Sequence, residues 1–133
     1  MTPLERQVAR YVRRWVPRMG LHQWDIGITL VDSLPNDALM EVAPDTAYLR
    51  SPLRVRRSIR PGDCPNNSIE YCVVHELTHL LLDPLADAAF GLVDAIAHLS
   101  PPAESVCVHT LRTANEQTTE AVARLLWQQY ERR

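Results

Sequence analysis

The chain has 133 residues, of which 46% are hydrophobic and 23% are charged, and its formal net charge is −2. This composition is typical of one soluble globular domain over residues 1–133 and excludes an extended disordered chain. No run approaches the roughly 20 apolar residues of a membrane-spanning helix, and the charge balance is not that of a strongly basic nucleic-acid-binding protein.

The cysteine content indicates a compartment for the protein. Cys64, Cys72 and Cys107 are an odd set without a CxxC pair. The N-terminal segment is amphipathic and lacks the uninterrupted apolar core of a signal peptide. Free thiols in a chain without such a leader indicate the reducing cytoplasm. Cys72 lies three residues before His75, so a thiol metal ligand is conceivable, but a buried structural cysteine fits its apolar neighbours better.

The first half of the chain predicts a helix followed by strands. Apolar residues recur at helical spacing over residues 3–19 and Gly20 follows them, so we predict an amphipathic helix there. Alternating, β-branched residues predict a strand over Trp24–Val31. Two further strands are predicted over Ala38–Val42 and Thr46–Ile59.

The second half predicts helices. Asn67, with an acid three residues later, predicts a helix start, and Pro84 predicts its end. Residues 85–99 predict a shorter, less regular helix or a connector. Ser100, followed by proline, predicts the start of a final helix that runs to about Tyr130. The order of elements predicts an α+β fold with an N-terminal helix, a small mixed or antiparallel sheet of about three strands and a long C-terminal helix.

Residues 75–79 read HELTH, which has the form HExxH. Histidines four residues apart lie one helical turn apart on the same face, so His75 and His79 can reach one metal ion. Glu76 is offset by about 100° from His75, where it can take a proton from a metal-activated water. Uncharged flanks predict that this helix is buried. The alternative is a pair of hydrogen-bonded core histidines, which leaves Glu76 buried without a partner.

A zinc site needs a third protein ligand. The longer pattern HExxHxxGxxH is absent, because leucines stand at its Gly and His positions. Glu116 and Glu120 lie four residues apart on the last predicted helix and share a face. Glu116 can complete the ligand set, and Glu120 can then accept a hydrogen bond from a ligating histidine. Both acids can also be solvated residues on an exposed face, and which of them is the ligand stays open. The candidates for third ligand are Asp83, Asp94, His98, His109, Glu116 and Glu120.

HELTH followed by NEQTTE at residues 115–120 resembles the gluzincin metallopeptidases, whose thermolysin-like members carry HExxH and then NExxSD on a later helix. The resemblance covers the two helices, about a third of the chain, and in size the chain resembles small zincin-like proteins of phage and bacterial genomes. It implies a minimal zincin-like domain with one zinc ion per chain. The implied site residues are the ligands His75, His79 and Glu116, the general base Glu76 and the supporting acid Glu120. Thr119 and Glu120 stand where the family has Ser and Asp.

The resemblance also implies a mechanism and a substrate. A gluzincin hydrolyses peptide bonds and uses a His or Tyr donor for the oxyanion. His109 lies seven residues before Glu116 on the same predicted face and is the first candidate, ahead of His98, Tyr48 and Tyr71. The substrate would add a strand along the sheet edge, for which we expect the arginine-rich region Thr46–Ile59. If those arginines contact the substrate, it would be an acidic peptide or a nucleic-acid-bound protein. Charged residues at a sheet edge also protect against aggregation, which explains the arginines equally well.

Two other functions compete with a peptidase. A zincin-like binding or regulatory module would keep the zinc and the fold with little or no turnover, and the small size of the chain favours it. Glu76 opposes it, because a structural zinc site has no use for a general base. A nucleic-acid-binding protein would use the arginine-rich strands, but no aromatic-basic motif supports it. We expect a peptide or protein substrate and no membrane partner, and the sequence does not indicate an oligomeric state.

Overall fold

The computed structural model describes residues 1–96 and 101–131. Within them the chain forms three α-helices and three β-strands, which is the predicted α+β arrangement. In chain order these elements are α1 (Pro3–Met19), β1 (Asp25–Val31), β2 (Met40–Val42), β3 (Arg50–Arg56), α2 (Ile69–Ile96) and α3 (Pro101–Glu131). None of the helices in these residues is long and apolar enough to cross a lipid bilayer.

Helix α1 has the bounds that its sequence predicts. The Thr2 hydroxyl accepts a hydrogen bond from the Glu5 N–H at 3.2 Å, and the Glu5 carboxylate accepts one from the Thr2 N–H at 2.5 Å. This capping box satisfies two backbone donors at the helix start. Gly20 ends the helix with a left-handed φ of 68°, which glycine adopts without strain. The inner face of α1, with Val8 and Trp15 buried, packs into the core.

The three strands form a mixed sheet in the order β1-β3-β2. Strand β1 is parallel to β3, and β2 is antiparallel to it. The expectation that the region Thr46–Ile59 supplies the free sheet edge is therefore wrong, because β3 is the central strand. The short strand β2 pairs with the edge of β3 that faces away from β1, with Met40 opposite Val55 and Val42 opposite Leu53. The sheet edge that lies beside α2 belongs to β2.

Helix α2 differs from its predicted bounds at both ends. Ser68 rather than Asn67 caps its start, because the Ser68 hydroxyl accepts the Tyr71 N–H at 3.2 Å. The helix also continues through Pro84 to Ile96 instead of ending at the proline. A proline in a helix interior costs about 3 kcal/mol. Packing offsets this cost, because α2 lies against α3 and Val93, beyond the proline, is buried.

Helix α3 begins at Pro101 and ends at Glu131, within one residue of the predicted end at Tyr130. Ser100, the predicted N-cap, lies outside the described residues, and so does the candidate ligand His98. Helices α2 and α3 therefore account for all of the described residues after Ser68.

Packing between α2 and α3 fixes the segment 115–120 against the HELTH turn. The rings of Tyr71 and Trp127 meet edge to face, with their centroids 5.5 Å apart. Thr119 and Ala123 on α3 are fully buried. The small buried side chains let the two helices approach closely, and the polar groups of both motifs then meet at one point.

Candidate metal centre

The two histidines of HELTH project from one face of α2. Their ring centroids are 5.1 Å apart and the rings are inclined by 76°. Both side chains are mostly buried, with 20% of His75 and 16% of His79 exposed. Val74 and Leu77 between and beside them are fully buried in the core. The core-facing residues therefore fix the helix so that both rings point out of the core on the same side.

Glu116 from α3 completes a cluster with the two rings. Its Oε1 lies 3.2 Å from Nε2 of His79, and its Oε2 lies 3.7 Å from Nε2 of His75. One ligand atom from each of the three residues lies within 4.8 Å of the others. Tetrahedral zinc with bonds of about 2.0–2.2 Å places its ligand atoms about 3.3–3.6 Å apart. Two imidazoles and one carboxylate within this separation form a cluster that could hold a metal ion.

Glu120 holds the first histidine. Its Oε2 lies 2.8 Å from Nδ1 of His75, while its Oε1 accepts hydrogen bonds from the Tyr71 hydroxyl at 2.8 Å and from Arg124 Nε at 3.0 Å. Although burial raises the pKa of Glu120, the hydrogen bonds from Tyr71, His75 and Arg124 bring that pKa below its usual value. An ionised carboxylate at Nδ1 binds the proton-bearing nitrogen and leaves the lone pair of Nε2 directed at the cluster.

Thr119 holds the second histidine in the same way. Its hydroxyl donates to the Asn115 carbonyl at 2.7 Å, so its oxygen is available to accept the Nδ1 proton of His79, which lies 3.3 Å away. Burial lowers the pKa of His79, which favours the neutral ring that a metal ligand requires. Sequence reasoning did not assign this role to Thr119. Its position three residues after Glu116, on the same helical face, is the signal that could have indicated it.

Glu76 lies beside the cluster and shares a cleft with it. Its Oε2 accepts a hydrogen bond from the backbone N–H of Val42 on β2, at 3.1 Å. Burial raises the pKa of Glu76 to about 8, against the lowering effect of the Val42 hydrogen bond, and the nearby charges of Glu116 and Glu41 raise it further. The half-buried carboxylate therefore has a partner, so the argument that the core-histidine alternative would leave Glu76 unsatisfied no longer holds.

The cleft around the centre is acidic. It has a volume of about 500 Å³ and is bounded by the segment 35–44, α2 and α3. Four of the described residues that line it carry carboxylates, namely Glu41, Glu76, Asp83 and Glu116. No arginine is among the described lining residues. Arg54 of β3 lies 2.8 Å from Glu41 and so pairs with one of these four carboxylates, whereas Arg57, just after β3, lies 3.0 Å from Asp32.

The other candidate residues lie away from the cluster. Asp83 lines the cleft, but its carboxylate accepts a hydrogen bond from the Thr46 hydroxyl at 2.5 Å. Asp94 is exposed on α2. His109 is also exposed and lines a separate surface pocket with Glu104 and Arg112, so the structure does not bring it to Glu116.

Two further side chains considered from the sequence also lie elsewhere. Cys72 is buried, and burial raises the pKa of its thiol well above the usual range, so this thiol stays protonated. It is not part of the ligand cluster. Tyr48 is 71% exposed, and its ring stacks with the guanidinium of Arg50 at 5.2 Å. Neither residue supplies a donor to the described centre.

What the centre can bind follows from its own donor atoms. Both histidine rings have their Nδ1 atoms hydrogen-bonded, and the Glu116 carboxylate lies near both Nε2 atoms. Together with the half-buried Glu76 beside them, these groups form a donor set that could hold one divalent ion. Comparison of the chain with protein families, with curated proteins and with solved structures gives no match.

Proposed function

We propose that this protein is a zinc-dependent peptidase of the gluzincin type, with His75, His79 and Glu116 as the metal ligands. The observation that carries the proposal is the convergence of three ligand atoms within 4.8 Å, next to a carboxylate that is not one of them. A structural zinc site is closed by four protein ligands, whereas three ligands in an open cleft leave a position for water or substrate.

Zinc, when bound, supplies a Lewis acid for the substrate carbonyl and lowers the pKa of a coordinated water. Two neutral imidazoles and one carboxylate form a donor set that suits this ion. Glu120 and Thr119 contribute by holding the Nδ1 protons, so that both Nε2 lone pairs face the metal position. The tautomer and orientation of both rings are then set before the metal binds.

Glu76 acts as the general base in this proposal. Its Oε2 is held by the Val42 N–H, which leaves Oε1 to receive the proton from the attacking water. The same oxygen can then deliver the proton to the amine nitrogen that leaves. The Val42 contact fixes the carboxylate against β2, and this orientation keeps Glu76 beside the metal position rather than in the ligand set.

The substrate lies along β2 in this proposal. Glu41 pairs with Arg54 of β3, and the Leu39 carbonyl accepts the Arg56 N–H at 3.0 Å, so these residues direct their backbone groups toward β3. Val42 directs its N–H the other way, toward Glu76. An extended peptide added at this edge would pair with β2 and cross the metal position. Because carboxylates line the cleft, we expect a neutral or cationic peptide to bind there in preference to an acidic one.

Metal content and peptide hydrolysis test this function together. We expect about one zinc ion per wild-type chain by mass spectrometry, and Glu116→Ala should lose it. Glu76→Gln should keep the zinc and lose hydrolysis by about 10²–10⁴-fold, because the ion is retained and the base is removed.

The possible results separate the competing functions. Hydrolysis that survives Glu76→Gln would contradict the proposed mechanism. Zinc binding without hydrolysis of any peptide would favour a binding or regulatory module. A wild-type chain that stays metal-free in the presence of zinc would overturn the proposal.

A further inference from the structure

Tyr71 lies one helical turn before His75 on the same face of α2. Its side chain is 1% exposed, and its hydroxyl donates a hydrogen bond to Oε1 of Glu120 at 2.8 Å. A buried tyrosine hydroxyl needs such a partner. Tyr71 is not among the described residues that line the metal-binding cleft, so the structure does not support it as the oxyanion donor.

The two oxygens of the Glu120 carboxylate make different contacts. Oε1 accepts hydrogen bonds from the Tyr71 hydroxyl and, at 3.0 Å, from Nε of Arg124, whereas Oε2 lies 2.8 Å from Nδ1 of His75. The terminal torsion of a glutamate is broad, so a carboxylate rotates easily unless its oxygens are held. Donors at Oε1 restrict this rotation and keep Oε2 beside the histidine nitrogen.

The two donors to Oε1 differ in burial. Arg124 is 67% exposed on α3, where water weakens its attraction to the carboxylate. Tyr71 lies in the core, where the lower dielectric strengthens a hydrogen bond. Burial, together with the adjacent Glu120 carboxylate, raises the pKa of Tyr71 to about 12, so its hydroxyl remains a donor. Tyr71 is therefore the donor that fixes Glu120 more firmly.

Core packing holds the Tyr71 ring in place. Its N–H donates to the Ser68 hydroxyl at 3.2 Å in the first turn of α2. Its ring meets Trp127 of α3 edge to face, and Trp127 in turn stacks with Trp15 of α1 at a centroid distance of 6.3 Å. Because three helices contribute to this packing, the hydroxyl cannot move away from Glu120 without a disturbance of the core.

The contact links the ligand to its own helix through a residue of the other helix. Tyr71 and His75 both belong to α2, whereas Glu120 belongs to α3. The other histidine is held differently, because Thr119, the partner of His79, is anchored within α3. Tyr71 thus acts on one of the two histidines, and the other serves as an internal reference.

We infer that Tyr71 is a positioning residue of the metal centre: its hydroxyl fixes Glu120, and Glu120 in turn sets the ring orientation and the Nδ1–H tautomer of His75. The inference rests on the ligand role of His75 in the proposed function and does not require hydrolysis. It assigns to Tyr71 the task of ordering one ligand before the metal binds.

The tautomer of His75 in the metal-free protein tests this role directly. Nitrogen NMR under alkaline conditions, in which a histidine ring is neutral, distinguishes a proton on Nδ1 from one on Nε2. We expect the wild type to carry the His75 proton on Nδ1. Tyr71→Phe keeps the ring and removes the hydroxyl, so it should give a mixture with the Nε2–H form while His79 stays as in the wild type. An unchanged His75 tautomer, or an equal change at both rings, would overturn the inference.

Zinc affinity provides the second measurement. Competition with a chelator should show an affinity about 3–10-fold lower in Tyr71→Phe, which is less than the loss of about 10–100-fold typical when an outer carboxylate itself is removed. Tyr11→Phe is the matched control, because the Tyr11 hydroxyl bonds with Gln7 within α1, and it should leave the affinity unchanged. An equal loss in the two variants would indicate a general effect on the core and overturn the inference.

A double variant separates positioning from a general effect on folding. If Tyr71 acts through Glu120, adding Tyr71→Phe to Glu120→Ala should change zinc affinity by less than about twofold, because no carboxylate is left to hold. Losses that add in full would show that Tyr71 acts by another route, contrary to the inference.

Arg124→Ala keeps the inference testable even if Tyr71→Phe does not fold. The exposed arginine can be removed without a change in the core, and His75 should keep its Nδ1–H tautomer because Tyr71 still holds Glu120. Loss of that tautomer in Arg124→Ala would assign the role to the arginine and overturn the assignment to Tyr71.

The positioning role and the peptidase function can fail separately. A wild type that binds zinc without hydrolysing any peptide would overturn the function, while the expected changes in Tyr71→Phe would still support the role of Tyr71. Hydrolysis by the wild type, with an unchanged zinc affinity and His75 tautomer in Tyr71→Phe, would support the function and overturn the role. A wild type that binds no zinc would overturn both.

Discussion

Each histidine of the centre has its Nδ1 held by a residue of α3. The carboxylate of Glu120 holds His75 at 2.8 Å, and the hydroxyl of Thr119 holds His79 at 3.3 Å. The two partners are adjacent in sequence but differ in charge. A charged acceptor raises the basicity of its histidine more than a neutral hydroxyl does, so His75 should be the more strongly oriented ligand.

Loss of the Glu120 carboxylate should weaken metal binding without abolishing it. We expect Glu120→Ala to reduce zinc affinity by about 10–100-fold, because His75 loses the group that fixes its tautomer and ring orientation. Competition with a chromogenic zinc chelator measures this change. Glu104→Ala, on the same helix but away from the centre, is the control and should not change the affinity. A complete loss of zinc in Glu120→Ala would instead identify Glu120 as a ligand.

At the residue scale, spacing along one helix was informative, and the meeting of Glu116 and Glu120 with the histidines was expected only from the motif resemblance, not from a local pattern. Four-residue spacing correctly placed His75 with His79 on one face of α2. The contact of Thr119 with His79 depends on how α3 packs against α2, which no local pattern encodes. His109 illustrates the same limit, because seven residues along a helix correspond to about 10 Å. A shared face therefore did not bring His109 near Glu116.

The continuation of α2 through Pro84 makes this helix the element with the largest departure from its local signals. Pro84 supplies no N–H to the Leu80 carbonyl, yet the helix extends for twelve more residues, from Leu85 to Ile96. Tertiary packing on α3 outweighs the local penalty.

The bounds of α1 were predictable because a capping threonine and a terminal glycine mark them, whereas the central position of β3 depends on pairing with distant residues.

Replacing this proline should stabilise the protein. Pro84→Ala restores a backbone donor to Leu80, and we expect the free energy of unfolding to rise by about 1–2 kcal/mol after the greater freedom of the unfolded chain is taken into account. Urea denaturation of the metal-free protein measures it. Asp87→Asn, an exposed change in the next turn, should stay within about 0.5 kcal/mol of the wild type. A lower stability of Pro84→Ala would mean that α2 needs the proline's geometry.

The whole molecule depends on the central strand for its core. Leu53 of β3 is fully buried and belongs to the same cluster as Val8 of α1 and Leu77 of α2. Leu53→Ala should lower the free energy of unfolding by about 2–5 kcal/mol, through lost burial and the cavity left behind. Thermal and urea denaturation measure the change. Leu85→Ala is the matched control, because 74% of that side chain is exposed, and a comparable loss there would contradict the assignment of the core.

The centre draws its donors from two helices, with His75 and His79 on α2 and Glu116 on α3. An ion held there cross-links these helices and binds the folded chain far better than the unfolded one. Folding and metal occupancy are then linked by mass action: at a free zinc concentration 100 times Kd, the folded state gains about 2.7 kcal/mol. The lifetime of this protein in a cell would therefore follow the supply of free zinc, and scarcity of the metal would remove the protein itself as well as its activity.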